Sequence, residues 1–113
     1  MMLVSDLFPK TDTRIKFDYS ALDEAPVQSG CYVITTFNGT ILYIGQSVNI
    51  RNRMAQHLDG RDKEKETPQG VAYFFHYKLW EESKLNDLER GWGNSYKLKT
   101  GELPYFNKVN PPV

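Results

Sequence analysis

The sequence has a single cysteine, two histidines and no long apolar run. Cys31 cannot form an intramolecular disulfide, and one cysteine with two histidines is too few for the usual structural zinc sites. No stretch of about 18 apolar residues is present to span a membrane. The first ten residues also lack the charged start and apolar core of a signal peptide. These absences predict a cytoplasmic protein with no membrane partner.

The sequence also lacks an excess of charge of either sign. Fourteen Lys and Arg residues offset fourteen Asp and Glu residues. A free-standing protein that binds duplex DNA usually neutralises several phosphates with a basic face. The composition therefore argues against strong autonomous affinity for DNA, but it is compatible with a local basic cleft.

Apolar side chains are plentiful enough for one packed core. The 113 residues are 40% apolar and 13% aromatic, which suits one compact domain and is too short for two. We expect an N-terminal arm or cap at residues 1–29, with a short edge strand at residues 14–17. The folded unit is expected at residues 30–113.

Residues 30–45 predict a β-hairpin. Two runs rich in β-branched and aromatic residues flank Asn38-Gly39, a dipeptide that favours a two-residue type I′ turn. Side chains alternate faces along a strand. One face should therefore carry four residues of the hairpin: Tyr32, Ile34, Ile41 and Tyr43.

Two phenols should converge on that face. Tyr32 and Tyr43 become diagonal neighbours, about 7–8 Å apart at the backbone. Tyr32 pairs with Gly45, which should leave the backbone open to an approaching group. Cys31 and Val33 should lie on the opposite face, where Cys31 acts as a small buried hydrophobe.

A helix is predicted over residues 48–58, capped by Ser47 or Asn49. Its apolar residues recur at every fourth position, and Arg53 and His57 flank that stripe on one side. The hairpin feeds directly into this helix, so both side chains are expected near the tyrosines. The alternative is that this arginine is solvated and this histidine half-buried.

The rest of the chain predicts a charged loop, a strand and a second long helix. Residues 59–69 form the loop and residues 71–77 a central strand, in which His76 is structural. The helix, at residues 82–98, is expected to bury Leu85, Leu88, Trp92 and Tyr96. Glu89 lies at the margin of that buried face, where a carboxylate needs a cation or a metal as partner. Close contact with the sheet would explain Gly93.

The motifs together resemble the GIY-YIG nucleases. Gly30-Cys31-Tyr32 and Tyr43-Ile44-Gly45 are similar to the family signature, with Cys31 in place of the usual isoleucine. The helix that follows, with its arginine and histidine, resembles the next family segment. An inward glutamate, a proline and an asparagine are then matched by Glu89, Pro104 and Asn107; Asp87 is a fallback for the glutamate.

The resemblance implies an α+β fold, with a small central antiparallel sheet of about three strands flanked by helices. It implies a metal-dependent endonuclease that hydrolyses phosphodiester bonds in DNA, with branched or damaged DNA among the candidate substrates. The implied catalytic residues are Tyr32, Tyr43, Arg53, His57, Glu89 and Asn107. The implied nucleic-acid contacts are Gly45, Gln46, Ser47 and Arg51.

In this chemistry Glu89 holds one Mg²⁺ or Mn²⁺ ion and Arg53 stabilises the phosphate. Tyr32 is favoured over Tyr43 as the general base, and Asn107 holds the site together. A protein partner or a homodimer would supply the DNA affinity that the neutral charge does not. The rival hypothesis is a non-catalytic module that keeps the fold and binds nucleic acid or a protein.

Overall fold

A computed structural model describes residues 2–60 and 66–109 of the chain. The strands are β1 (Thr13–Lys16), β2 (Gly30–Thr35), β3 (Ile41–Ser47) and β4 (Phe74–Leu79). The α-helices are α1 (Ile50–Gly60), α2 (Leu85–Thr100) and α3 (Tyr105–Val109). Short 3-10 helices lie at Val4–Asp6, Tyr19–Glu24 and Glu82–Lys84. Part of the predicted charged loop, residues 61–65, lies outside the described residues.

The strands form one antiparallel sheet in the order β1-β4-β2-β3. This confirms the α+β fold. The sheet has four strands where about three were expected, because the N-terminal arm contributes β1. The central position predicted for β4 is confirmed, although that strand begins three residues later than predicted. β3 lies at one edge of the sheet.

The loop of the β2–β3 hairpin has three residues, so the predicted two-residue turn is wrong. Thr36 donates its backbone N–H to the carbonyl of Thr40, and Gly39 donates to the carbonyl of Thr36. Gly39 has a φ of 88°. A three-residue loop with a left-handed residue at its end is the next common hairpin connection after the two-residue turns.

A β-bulge compensates for the longer loop. Thr35 pairs with Ile41, which leaves Leu42 as the extra residue of β3. Tyr32 therefore still pairs with Gly45, as predicted. The bulge turns Ile41 to the opposite face and brings Leu42 onto the tyrosine face, so the predicted face of Ile41 is wrong.

Two buried clusters cover the two faces of the sheet. The tyrosine face packs against α1, through Ile50, Met54 and Leu58, as the apolar stripe predicted. The other face packs against α2, through the four predicted residues Leu85, Leu88, Trp92 and Tyr96. The N-terminal arm joins both clusters, with Ala21 and Ala25 on the first and Met2 and Leu7 on the second.

The helix boundaries follow local signals. Asn49 accepts a hydrogen bond at Oδ1 from the backbone N–H of Asn52 (3.0 Å), so this residue caps α1. α2 ends at Gly101, which has a φ of 84°. Cys31 is fully buried on the α2 face, as predicted, and its thiol donates to the carbonyl of Leu85. None of the described helices is long and apolar enough to cross a membrane.

Candidate active site

The candidate site lies along the edge strand β3, where side chains of α1 and α2 approach each other from opposite faces of the sheet. A cavity of about 340 Å³ opens there. We call it the Arg53 cavity; its walls include Tyr43, Gln46, Ser47, Arg53, Asn86 and Glu89. Three elements thus bring a phenol, a guanidinium and a carboxylate to one space, as the sequence predicted for these side chains.

The two tyrosines lie side by side, with Tyr43 in the wall of this cavity and Tyr32 behind it. Their ring centroids are 6.0 Å apart. Tyr32 is fully buried, and its hydroxyl shares a hydrogen bond with His57 Nε2 (2.7 Å). Tyr43 lines the cavity directly. The rings of Tyr32 and His57 pack against the ring of Tyr43 and so adjoin the site from behind.

Gly45 is required by these phenols. A Cβ atom at this position would lie 2.6 Å from the Tyr32 hydroxyl and 2.9 Å from Cε2 of Tyr43. Such distances are shorter than van der Waals contact, so no larger residue fits without displacing a ring. The expected opening above Gly45 is therefore filled by the tyrosines, and that part of the prediction is wrong.

The two tyrosine hydroxyls lie in different surroundings, which shift their pKa values to different extents. Burial raises the pKa of Tyr32 well above that of a free phenol and the neighbouring Tyr43 raises it further, while the charge of Arg53 and a hydrogen bond with it oppose the shift. Burial also raises the pKa of Tyr43, and the charge of Glu89 adds to that shift, whereas the hydrogen bond with Tyr32 and the charge of Arg53 oppose it. Ionisation is thus less unfavourable at Tyr43 than at Tyr32.

Arg53 projects from α1 into the cavity wall. Its Nη1 donates to the carbonyl of Gln46 (3.2 Å) and its Nε to Oε1 of Gln56 (3.0 Å). These partners are neutral oxygens that orient the guanidinium without cancelling its charge. A guanidinium with further donors can bind two oxygens of one phosphate.

Glu89 projects from α2 at the margin of its buried face, as predicted. Its Oε1 accepts a hydrogen bond from Gln46 Nε2 (3.1 Å). Its Oε2 is buried and, among the described residues, is the one buried side-chain nitrogen or oxygen without a hydrogen-bond partner. Burial raises the pKa of Glu89, and the hydrogen bond from Gln46 and the charge of Arg53 oppose that shift.

The unpaired oxygen fits a divalent cation. Mg²⁺ takes oxygen ligands and commonly binds through one or two carboxylates while keeping several waters. No cluster of three His, Cys, Asp or Glu side chains suited to a metal occurs in residues 2–60 and 66–109. Glu89 is thus the side chain that would hold a metal here, with water completing its coordination.

Asn107 fastens the edge strand. Its Oδ1 accepts from the backbone N–H of Ile44 (2.9 Å), and its Nδ2 donates to the carbonyl of Ile44 (2.9 Å). Asn107 is buried, and α3 packs beside β3. This one side chain therefore pairs with the strand as a neighbouring backbone would, next to Tyr43 and Gly45.

Besides Gly45, three residues were expected to contact nucleic acid, and they divide into two groups. Gln46 and Ser47 line the cavity, and Ser47 Oγ also accepts from the backbone N–H of Asn49 (3.0 Å). Arg51 points elsewhere: its guanidinium donates to the carbonyls of Ala25 (2.7 Å) and Asp23 (3.0 Å). This arrangement favours a structural role for Arg51, which ties the N-terminal arm to α1.

Sequence reasoning missed Asn86. Its Oδ1 accepts from Gln46 Nε2 (2.6 Å), and it borders the Arg53 cavity beside Glu89. A signal was present, because Asn86 lies three residues before Glu89 and therefore on the same helical face. His76, by contrast, is buried away from the cavity and shares a hydrogen bond with Thr35 Oγ1 (2.9 Å), in keeping with its predicted structural role.

A second cavity adjoins the first along α2. We call it the Gly93 cavity; it measures about 360 Å³ and shares Asn86 and Glu89 with the Arg53 cavity. A Cβ atom at Gly93 would meet nothing within 4 Å. The expected close contact between Gly93 and the sheet is therefore wrong, since this residue leaves open space. Gly91 is exposed, and a Cβ atom there would also meet nothing within 4 Å.

Comparison with known proteins identifies a family for this chain. The family model of the GIY-YIG catalytic domain matches residues 28–101. UvrABC system protein C of Streptococcus gordonii is 40% identical over 45 residues, which is 40% of this chain and 7% of that protein. The same protein of Streptococcus pneumoniae serotype 2 is 42% identical over 41 residues, or 36% of this chain and 7% of the relative.

The chain thus spans about 7% of the length of these curated relatives. The family model, in contrast, covers more than half of the chain, from the arm through β2, β3, β4 and both long helices. Both tyrosines, Arg53 and Glu89 lie within the matched range. The chain therefore belongs to the GIY-YIG catalytic domain family, and that membership supports a nuclease-type function.

Proposed function

We propose that this chain is an endonuclease that hydrolyses a phosphodiester bond of DNA in the Arg53 cavity. The observation that carries the proposal is Glu89 Oε2, a buried carboxylate oxygen without a partner, in a cavity that also presents Arg53 and Tyr43. Burying a carboxylate oxygen without a hydrogen-bond donor destabilises the folded state. That cost is understandable if the oxygen binds a cation during function.

Glu89 and Arg53 would help to stabilise different negative charges that develop during the reaction. A Mg²⁺ or Mn²⁺ ion held by Glu89 would supply electrostatic stabilisation to the leaving oxygen. Arg53, held in place by Gln46 and Gln56, would bind the non-bridging oxygens of the scissile phosphate. Preorganised donors of this kind act without reorganisation at the moment of reaction.

We assign the general base to Tyr43 rather than to Tyr32. Tyr43 lines the cavity, whereas the hydroxyl of Tyr32 lies behind it against His57. Tyr32 can donate its proton to the Tyr43 oxygen while His57 Nε2–H donates to Tyr32, and this chain stabilises a phenolate at Tyr43. The phenolate would take a proton from water, and the resulting hydroxide would attack phosphorus and expel the 3′ oxygen.

DNA binding would need support from outside these residues. The net charge of +0 gives little general attraction for a polyanion. We therefore propose that a protein partner or a second copy of the chain contributes affinity for DNA. The nuclease-type function of the family supports DNA as the substrate.

The test is metal-dependent cleavage of supercoiled plasmid and branched DNA by the parent and by Glu89→Gln. We expect cleavage with Mg²⁺ or Mn²⁺ that the substitution abolishes, and loss of Mn²⁺ binding measured by titration. Glu82→Gln, which changes an exposed glutamate near the start of α2, is the matched control and should behave as the parent.

The tyrosine assignment is tested in the same assay. Tyr43→Phe should remove cleavage, whereas Tyr32→Phe should reduce it less, because only the indirect stabilisation of the phenolate is lost. A stronger effect at Tyr32 would reverse the assignment. A parent protein that binds DNA but cleaves none of the substrates with either metal would instead favour the non-catalytic module.

A further inference from the structure

We propose that the Gly93 cavity receives an unstacked nucleobase adjacent to the scissile phosphate, so that the preferred DNA has an unpaired nucleotide at that position. This inference rests on the proposed nuclease function, because it assumes that a phosphate lies in the Arg53 cavity. It assigns a substrate class to the same site. The evidence is the position, the lining and the shape of the second cavity.

The position follows from continuity with the Arg53 cavity. Asn86 and Glu89 form part of both cavities, so no wall separates them completely. Asn86, Glu89 and Gly93 lie on one face of α2, and Gly93 is about 6 Å from Glu89 along the helix axis. A strand with its phosphate between Arg53 and Glu89 can therefore direct its next nucleotide along α2 into this space.

The lining suits a neutral ring better than a phosphate. Ile44, Leu103 and Pro104 supply apolar walls. The charged groups are Glu89, which would repel a phosphate placed in this cavity, where Arg53 is not part of the lining, and Arg90, whose guanidinium is already 3.5 Å from the carboxylate of Asp87. An uncharged planar base avoids the repulsion and gains the apolar contact.

Polar recognition would come from Asn86 at the junction of the two cavities. Asn107 also borders the cavity, but both polar atoms of its amide are engaged by Ile44. The amide of Asn86 has one hydrogen bond at Oδ1, from Gln46, which leaves its Nδ2 group to face a base edge. A single donor gives orientation without strict base selection.

The size of the cavity depends on Gly93. At about 360 Å³ it lies near the lower end of the range for small-ligand pockets. The position of a Cβ at Gly93 is surrounded by open space to 4 Å, so a larger side chain would enter the cavity without a clash. Gly91, two residues earlier on the same helix and exposed, provides a control for the backbone effect of replacing glycine.

A preference for unpaired nucleotides follows from energetics. Removing a base from a duplex costs a few kcal/mol, and it costs least for a mismatched, damaged or already single-stranded base. A chain with little net charge gains few phosphate contacts to offset that cost. Unpaired nucleotides should therefore enter the cavity more readily than paired ones.

Binding is tested first without catalysis. A single-stranded oligodeoxynucleotide containing 2-aminopurine is titrated with protein in EDTA, and fluorescence reports the environment of the base. We expect a fluorescence change with the parent and with Gly91→Leu. Gly93→Leu should bind about tenfold more weakly with the signal lost, and Gly93→Ala should be intermediate. Melting temperatures at or above that of the parent would verify folding of each variant.

Cleavage is then compared on a fully paired duplex and on duplexes with one mismatch at successive positions. The parent should cleave best when the mismatch adjoins the scissile bond, by about tenfold. Gly93→Leu should lose this preference while it retains cleavage of the paired duplex, and Gly91→Leu should keep the preference. Cleavage of every duplex at one rate, or an equal effect of both leucine variants, would overturn the inference.

The two proposals can fail separately. Absence of cleavage by the parent on all substrates would refute the proposed function, and the titration in EDTA would still decide whether a base enters the Gly93 cavity. Cleavage without any mismatch preference would leave the nuclease function intact and refute the inference. An unchanged 2-aminopurine signal in Gly93→Leu would refute the inference as well.

Discussion

Replacing Asn107 tests how the edge strand beneath the site is held. Asn107→Ala removes two hydrogen bonds to the backbone of Ile44, each 2.9 Å long, and leaves a buried N–H and a buried carbonyl without partners. Each bond has a net worth of about 1 kcal/mol, and an unsatisfied buried group costs about 1–3 kcal/mol. The adjoining Gly93 cavity can admit water to those groups, so we expect a loss of about 2–3 kcal/mol in unfolding free energy.

A loss of that size corresponds to a fall of about 10 °C in melting temperature for a domain of this length. Urea unfolding and thermal melting measure it, with Asn94→Ala as a control because Asn94 is an exposed asparagine on α2. Asn107→Asp adds a sharper signature. Its carboxylate can accept from Ile44 N–H but faces the Ile44 carbonyl, which has no proton to offer.

The aspartate variant should therefore be destabilised at neutral pH and should recover relative to the parent in acid. Burial and the facing carbonyl raise the folded-state pKa of the new carboxyl group, so protonation favours the folded state. The protonated carboxyl can again donate and accept. A change below about 0.5 kcal/mol in Asn107→Ala, or a pH-independent deficit in Asn107→Asp, would refute the assigned role of Asn107.

Two further predictions concern Arg53 and His76. Arg53→Ala should lower the cleavage rate by about 10²–10³, because a donor that stabilises the transition state is lost. DNA affinity should change only a few-fold, because Arg53 is one of several phosphate contacts. Cleavage at the rate of the parent would exclude Arg53 from the reaction. Burial lowers the pKa of His76 to about 4. Between about pH 6.5 and pH 4 the unfolded chain therefore binds a proton at this histidine that the folded chain does not bind. The parent should lose up to about 3 kcal/mol of unfolding free energy as the pH falls through this range. Urea unfolding at neutral and acid pH should show a smaller loss for His76→Gln, and an equal loss in both proteins would contradict this account.

Local patterns predicted much of this molecule because they report burial. The spacing of Ile50, Met54 and Leu58 predicted the buried face of α1, and the position of Glu89 on its helical wheel predicted a half-buried carboxylate. The pairing of Tyr32 with Gly45 was also correct. These features depend on helical and strand periodicity, which a sequence contains directly.

Features that depend on residues far apart in the sequence could not be predicted from local patterns. Arg51 looked available for nucleic acid, but it donates to carbonyls of the N-terminal arm more than 20 positions away in the chain. The turn at Asn38-Gly39 fits either loop length, and the bulge at Leu42 then corrects the register. The sequence correctly indicated that a glycine is needed at position 45, but the reason was wrong. The space above Gly45 is filled by the two tyrosine rings, and local sequence patterns do not report such packing.

The position of the site at the edge of the sheet has a physical reason. Arg53 comes from the helix on the tyrosine face and Glu89 from the helix on the opposite face. Side chains on opposite faces of a sheet are separated by the backbone, and they can approach one another only around an edge. A further strand paired with β3 would close that passage. Instead, the side chain of Asn107 makes the two hydrogen bonds that the backbone of Ile44 needs. Glu89 and the two cavities that share it therefore stay open to a substrate.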